Sequence, residues 1–128
     1  MTPRYCLLID DDYEEIEIFQ SAAKELPSSI TFRYAFGAYE GLDIIGHSPI
    51  LPDFVFVDIN MPKMDGREFL RIIKSDERLV HIPVVIYSTA GDQATRTEMM
   101  GLGAHHYIIK PYTVPDLVRA LQDFFAAR

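Results

Sequence analysis

Short apolar runs alternate along the chain with longer segments in which apolar residues recur at helical spacing. Five of these runs are rich in β-branched and aromatic residues, which is typical of strands, and they cover residues 5–9, 30–35, 54–57, 84–87 and 106–109. Four of them are nearly continuous in apolar character, which predicts parallel strands covered on both faces. The run from residue 30 alternates apolar and polar side chains, and we interpret it as an edge strand.

The segments between the runs carry helix signals. Asp12, Asp65 and Thr113 each precede a periodic segment and are followed three residues later by Glu or Asp, which is a capping pattern. The residues expected to mark or face inward from four helices are Ile16, Phe19, Ala23 and Leu26; Tyr39, Leu42 and Ile45; Phe69, Ile72 and Ile73; and Leu117, Leu121 and Phe124. The segment 92–101 is mostly polar and ends in two methionines. It predicts the weakest helix, and low stability would suit an element that moves.

The chain thus reads as a strand followed by a helix, repeated five times with short connections. This order predicts an α/β fold in which a parallel sheet carries helices on both faces and the crossovers are right-handed. For five strands we expect the flavodoxin-like, doubly wound order 2-1-3-4-5. Residues 1–128 are expected to form a single domain without an output domain.

Composition and charge narrow the function classes. With 48% hydrophobic residues the chain is expected to be globular, and its net charge of -7 argues against a nucleic-acid backbone as the main ligand. No apolar stretch approaches the ~20 residues of a membrane span, and the start of the chain lacks a signal-peptide apolar region. We therefore expect a cytoplasmic protein without membrane contact. The single cysteine, Cys6, lies in an apolar run and is expected to be a small buried hydrophobe.

Polar residues follow the predicted strands at their carboxyl ends. Asp10 and Asp11 follow the first strand, Asp58 the third and Lys110 the fifth, while Ser88 ends the fourth. In an open α/β sheet the ligand site lies beyond these ends, at the switch point between strands 1 and 3. We therefore expect three carboxylates, a hydroxyl and an ammonium at one edge. Each of these residues taken alone could also be a helix cap, a turn residue or a solvated loop lysine. Their occurrence together at the strand ends favours a ligand site.

Clustered carboxylates repel one another unless a cation compensates their charge. Mg²⁺ suits such a cluster, because it accepts a few carboxylates with water and leaves room for a phosphate oxygen. A carboxylate can also act as a nucleophile and form an aspartyl-phosphate. Lys110 would offset charge and Ser88 would donate a hydrogen bond, so the set fits phosphoryl transfer.

Four motifs carry a resemblance to a known family. They read LLIDDD at 7–12, VDINMPKMDG at 57–66, PVVIYS at 83–88 and YIIKP at 107–111. The chain resembles the receiver domain of two-component response regulators, including the stand-alone chemotaxis type, over essentially its whole length. The resemblance implies that Asp58 is the phosphoacceptor. It also implies that Asp11, Asp58 and the carbonyl of Asn60 bind Mg²⁺ directly, with Asp10 acting mainly through water.

The same resemblance implies a switch. Ser88 would be the switch hydroxyl, Lys110 would be the lysine of the family motif, and Tyr107 would be the switch aromatic residue. Phosphorylation would draw the hydroxyl inward and let the ring follow, which changes partner affinity on the surface of the fourth helix, fifth strand and fifth helix. Thr89 is larger than the residue usual in the family, which would narrow access to the site. Tyr112 replaces a common phenylalanine, a change expected to be harmless.

The resemblance also implies partners and separates three hypotheses. A histidine kinase or phosphotransfer protein would donate the phosphoryl group, and the domain would catalyse only its own phosphorylation and hydrolysis. A small-molecule aspartyl-phosphate hydrolase is disfavoured, because the sequence pattern shows no cap over the substrate. A constitutive binding module that is never phosphorylated is the alternative. The protein target is unassigned, and a homodimer through the fourth and fifth helices is left open.

Overall fold

Five strands and five helices alternate in a computed structural model that describes residues 4–128. The strands are β1 (Arg4–Asp10), β2 (Ile30–Phe36), β3 (Phe54–Val57), β4 (Val84–Ser88) and β5 (His106–Ile109). The helices are α1 (Tyr13–Ala23), α2 (Ala38–His47), α3 (Gly66–Ser75), α4 (Gln93–Gly101) and α5 (Val114–Ala126). All ten predicted elements are confirmed.

The strands form one parallel sheet in the order β2-β1-β3-β4-β5, which confirms the predicted flavodoxin-like topology. β2 lies at an edge, as its alternating pattern predicted. Side chains of β1 alternate between two apolar layers: Cys6 and Leu8 pack in the layer of α1 and α5, whereas Leu7 and Ile9 pack in the layer of α2, α3 and α4. Burial in the first layer raises the pKa of the Cys6 thiol to about 12, so Cys6 is an inert hydrophobe as expected.

Two helices bury a residue other than the one predicted. α1 buries Ala22, whereas Ala23 is only half-buried, and α3 buries Leu70, whereas Ile72 is exposed. In a helix each residue is turned by about 100° from the one before it, so the orientation of the helix on the sheet decides which apolar residue points inward. In α5 the predicted inner residues, Leu117, Leu121 and Phe124, are all buried.

The predicted caps are present, and they hold the helix starts at the sheet edge. The carboxylates of Asp12 and Asp65 accept hydrogen bonds from the backbone N–H groups of Glu14 and Glu68, at 2.9 and 3.0 Å. Thr113 caps α5 in the same way. None of the helices within residues 4–128 combines the length and the apolar character that crossing a bilayer requires.

Candidate functional site

The carboxyl ends of β1, β3 and β5 bring charged side chains to one edge of the sheet. Asp10 ends β1, Asp58 directly follows β3 and Lys110 directly follows β5. Backbone hydrogen bonds align these ends, since the N–H of Asp58 donates to the carbonyl of Ile9 at 3.2 Å and that of Lys110 to the carbonyl of Ser88 at 2.8 Å. The parallel register thus joins residues that are distant in the sequence.

Lys110 is the centre of this group. Its Nζ lies 2.9 Å from Asp10 Oδ2 and 3.2 Å from Asp58 Oδ2, and its side chain is only 7% exposed. Glu15 in the first turn of α1 lies further out, at 3.8 Å from the same nitrogen. The ring of Tyr87 contributes a cation–π contact, with its centroid 5.3 Å from Nζ. The ammonium is therefore surrounded by negative charge and shielded from water.

The electrostatics follow from this burial. Burial raises the pKa of Asp10 above its usual range, and the hydrogen bond and charge of Lys110 only partly oppose the rise. Burial alone would lower the pKa of Lys110, but its hydrogen bond to Asp10 and the charges of Asp58, Asp10 and Glu15 outweigh that effect and raise it. Lys110 is therefore charged at neutral pH.

Three carboxylates form a compact donor set for a cation. Asp10, Asp11 and Asp58 each offer one oxygen, and the three oxygens lie within 4.8 Å of one another. Burial and the charges of Asp10 and Asp12 raise the pKa of Asp11, and the charge of Lys110 opposes this rise only in part. Hard carboxylate oxygens at such spacing fit a divalent cation that prefers oxygen ligands. The donor set predicted from the strand ends is therefore assembled.

The loop from β3 to α3 holds Asp58 in place. Asp58 Oδ1 accepts a hydrogen bond from the N–H of Ile59 at 2.7 Å, and the N–H of Gly66 donates to the carbonyl of Ile59 at 2.8 Å. A Cβ at position 66 would lie 2.5 Å from the carbonyl oxygen of Asp58, so only glycine fits there. Lys63 in the same loop adopts a left-handed backbone with a φ of 70°. The backbone conformation of the loop beneath the carboxylates is thus held by hydrogen bonds and by the need for glycine at position 66.

Ser88 and Tyr107 meet at the backbone of Ala90. Ser88 is fully buried, and its Oγ accepts a hydrogen bond from the N–H of Ala90 at 3.2 Å. The Tyr107 hydroxyl donates to the carbonyl of Ala90, and the guanidinium of Arg96 lies 5.2 Å from the centre of the Tyr107 ring. The N-cap of α4 is Asp92 and not Ser88, so this serine is not a helix cap. The β4–α4 loop therefore links the serine to the aromatic ring.

The residues singled out from the sequence occupy two adjoining groups. Asp10, Asp58 and Lys110 are in direct contact, with Asp11 completing the acidic set, whereas Ser88 and Tyr107 share the Ala90 contacts. The Asn60 side chain is exposed in the β3–α3 loop. Sequence reasoning missed Glu15 and Tyr87 as neighbours of Lys110 and the steric role of Gly66. Only the position of Glu15, one turn beyond the β1 aspartates, offered a signal.

The chain matches known proteins in sequence. The family model for the response regulator receiver domain matches residues 6–122. The chemotaxis protein CheY-3 of Vibrio cholerae is 32% identical over 123 residues, covering 93% of this chain and 90% of that protein. The sensor histidine kinase CheAY of Helicobacter pylori is 31% identical over 107 residues, covering 84% of this chain. The matched part is only 13% of that kinase's length.

Solved structures share the fold over nearly the whole chain. The phosphorylated cyanobacterial phytochrome response regulator RcpA superposes with a TM-score of 0.85 at 26% identity, covering 96% of this chain and 91% of that one. The response regulator RPA3017, from red light signalling in R. palustris, also gives a TM-score of 0.85, at 27% identity. That match covers 95% of this chain and 91% of RPA3017.

Proposed function

The chain belongs to the response regulator receiver family, and on that premise we propose that it is a phosphorylation switch whose phosphoacceptor is Asp58. The observation that carries the proposal is the contact of Lys110 Nζ with Asp58 Oδ2 at 3.2 Å, beside two further carboxylates. A carboxylate held against a buried ammonium at the end of a central strand is placed to accept a group that brings its own negative charge.

The reaction we propose is a transfer between a donor phosphohistidine and Asp58. An oxygen of the Asp58 carboxylate attacks phosphorus, the phosphorus–nitrogen bond of the donor breaks, and its electron pair returns to the imidazole. The product is an acyl phosphate on Asp58. A histidine kinase or a phosphotransfer protein is the donor of this class, and the domain catalyses only its own phosphorylation and the later hydrolysis.

Lys110 supports this transfer through its fixed charge. Because its pKa is raised, the ammonium stays protonated while it contacts Asp58 and Asp10. Its second partner, Asp10, keeps the nitrogen at the sheet edge when a phosphoryl group arrives on Asp58. We propose that Lys110 then pairs with a phosphoryl oxygen, which stabilises negative charge in a site with little water.

We propose Mg²⁺ as the cofactor. The carboxylates of Asp10, Asp11 and Asp58 and the backbone carbonyl of Asn60 would hold it, consistent with the oxygen donor set at the sheet edge. When bound, the ion neutralises the clustered carboxylates and the incoming phosphoryl oxygens. The protein's own contribution is the spacing of these oxygens and the support of the β3–α3 loop beneath them.

The switch we propose runs from Ser88 to Tyr107 through Ala90. The Ser88 hydroxyl would donate a hydrogen bond to a phosphoryl oxygen. Because Ser88 Oγ already accepts a hydrogen bond from the N–H of Ala90, a shift of Ser88 would move Ala90 as well. Because the Tyr107 hydroxyl is bound to the carbonyl of the same residue, the ring would respond together with the loop. A phosphoryl group would thus bias an equilibrium between two loop positions.

The output face we propose consists of α4, β5 and α5. Met100, Ile109 and Tyr112 present exposed apolar side chains on or beside these elements. Exposed apolar side chains that form one patch are typical of partner-binding surfaces, and we propose that these three form such a patch. A shift of Tyr107 and α4 would change this surface, and a protein target would read the change.

The test is phosphorylation by acetyl phosphate with and without Mg²⁺, followed by measurement of the intact mass. We expect a Mg²⁺-dependent gain of one phosphoryl group that is absent in Asp58→Asn, because an amide oxygen cannot form the acyl phosphate. Asp43→Asn, a matched change at an exposed helix position, should keep the full gain. Circular dichroism of Asp58→Asn checks that the fold is intact.

Unchanged labelling of Asp58→Asn would refute the site assignment. A wild-type protein that gains no phosphoryl group from acetyl phosphate or from a phosphohistidine donor would support the constitutive binding module of the same fold. Thr89 is exposed beside the site, so Thr89→Ala separates a blocked entrance from missing chemistry. Labelling that appears only in Thr89→Ala would show that the threonine restricts small donors.

A further inference from the structure

We propose that β2 is an interface at which two copies of this chain pair their edge strands antiparallel, about a two-fold axis at Phe32. The occupant of this edge is therefore a second copy, which would extend the sheet across the dimer. The proposal concerns assembly and does not depend on the chemistry at Asp58. It rests on the edge itself, on the direction of its backbone groups and on the groove beside it.

β2 has few of the features that normally protect a sheet edge. It has only β1 as a neighbour among residues 4–128, and it is seven residues long. Its sequence, ITFRYAF, contains one charged residue and no proline. The opposite edge strand, β5, has only four residues. Natural edges are commonly short, charged or interrupted by proline, so the long β-prone edge of β2 favours pairing with another strand.

The backbone groups of Phe32 and Tyr34 face away from β1. At one end of the β1–β2 pair the N–H of Arg4 donates to the carbonyl of Ser29 at 2.7 Å, and at the other the N–H of Gly37 donates to the carbonyl of Asp10 at 2.9 Å. With the register between them, these bonds direct the odd-numbered residues of β2 toward β1. Phe32 and Tyr34 therefore point their N–H and C=O groups outward, whereas Ile30 offers only its C=O, because its N–H is bound to the carbonyl of Pro27.

A groove between α1 and β2 runs along this edge. Its lining includes Ile30, Phe32 and Tyr34 of β2 and, on the side of α1, Glu17 and Lys24. The N–H of Ile30 donates to the carbonyl of Pro27, so the end of α1 lies by the start of β2. The ring of Tyr13 stacks on Phe36 at 4.2 Å, so the start of α1 lies by the end of β2. Lys24 therefore lies at one end of the groove and Glu17 at the other.

A two-fold axis at Phe32 makes the groove complementary to itself. Phe32 then faces Phe32 of the second copy, and Ile30 faces Tyr34 of the second copy, with outward backbone groups in register for pairing. The Lys24 end of one groove meets the Glu17 end of the other, so opposite charges face each other twice. A self-complementary patch of this kind is what a two-fold dimer requires.

The test is sedimentation velocity over a range of concentrations with charge-reversed variants. We expect Glu17→Lys and Lys24→Glu each to weaken association by about tenfold, because each places like charges at both symmetric contacts. The double variant restores association, since it only exchanges the two charges. Glu25→Lys, the same charge change at a neighbouring exposed residue outside the groove, should leave association unchanged.

Hydrogen exchange supplies an independent readout. The amides of Phe32 and Tyr34 should gain protection as concentration rises, whereas the amide of Arg33, which faces β1, should be protected throughout. A protein that stays monomeric at millimolar concentration would overturn the proposal, as would a dimer insensitive to both single reversals, which would place the interface on another face. All four variants should retain Mg²⁺-dependent labelling, so this test and that of the phosphoacceptor fail separately.

Discussion

The two helices on either side of β5 are held in different ways. α5 spans 13 residues and buries Leu117, Leu121 and Phe124 in the apolar layer that it shares with α1. α4 spans nine residues, of which only Met99 is buried. Its other attachments are polar: Glu98 pairs with Arg67 of α3 at 2.9 Å, and Arg96 lies over the Tyr107 ring. One helix is anchored by burial, and the other by contacts that water can replace.

This difference implies that α5 contributes mainly to the stability of the fold, whereas α4 is the helix suited to switching. Burial of three apolar side chains ties α5 to global unfolding, because α5 cannot leave without opening the core. Detaching α4 exposes a single buried side chain and breaks solvated ion contacts, so it should open locally at a lower free energy. The helix that we expect to open more easily thus lies beside Tyr107, where a switch needs it.

The largest effects should come from truncating the buried side chains of the two helices. We expect Leu121→Ala to lower the free energy of unfolding by about 2–5 kcal/mol, because it leaves a cavity in the shared layer. Met99→Ala should cost less, since local opening of α4 sets an upper limit on the loss. Urea denaturation of both variants measures the difference, and equal losses would show that α4 is as firmly anchored as α5.

The helix caps provide a matched pair of smaller effects. Thr113→Ala removes the cap of α5 and should lower global stability by about 1 kcal/mol. Asp92→Ala removes the corresponding hydrogen bond to Thr95 in α4. We expect its effect mainly as faster hydrogen exchange within α4, with little change in global unfolding. Faster exchange in α5 as well would indicate that the two helices open together.

Tyr107→Phe tests the contact between β5 and the β4–α4 loop, and we expect it to lower stability by as much as the cap variants or less. It removes the hydroxyl that donates to the Ala90 carbonyl, which should lower stability by about 0.5–1.5 kcal/mol. Labelling of Asp58 should be nearly unchanged, whereas nuclear magnetic resonance shifts of α4 on phosphorylation should shrink. Loss of labelling equal to the loss of response would contradict a switch role for Tyr107.

The smallest effect should come from the ion pair between α3 and α4. Arg67→Ala removes a partly exposed contact with Glu98 and should cost about 0.2–1 kcal/mol at low salt. The cost should fall at high ionic strength, because salt screens exposed charges. Arg71→Ala, on the same helix at an exposed position, is the control. A cost that is independent of salt would mean that packing of the Arg67 stem matters more than its charge.

Among the local features, helix caps were predicted best from the sequence. The predicted caps at Asp12, Asp65 and Thr113 are present, because a cap depends only on the residues of its own turn. Inner faces were less certain: Leu70 is buried where Ile72 was predicted, since helix tilt is set by the sheet. Among the paired methionines, Met99 is buried and Met100 is 43% exposed, for the same reason.

Sequence pattern alone predicts the strand order, the helices and the set of residues at the sheet edge, because strand-end positions follow from alternation and parallel topology. How these residues meet depends on the tertiary structure. It placed Lys110 closest to Asp10, brought Glu15 and Tyr87 around it and linked Ser88 to Tyr107 through Ala90. Such contacts join residues far apart in the chain at ångström scale, and they depend on the packing of whole elements rather than on local pattern.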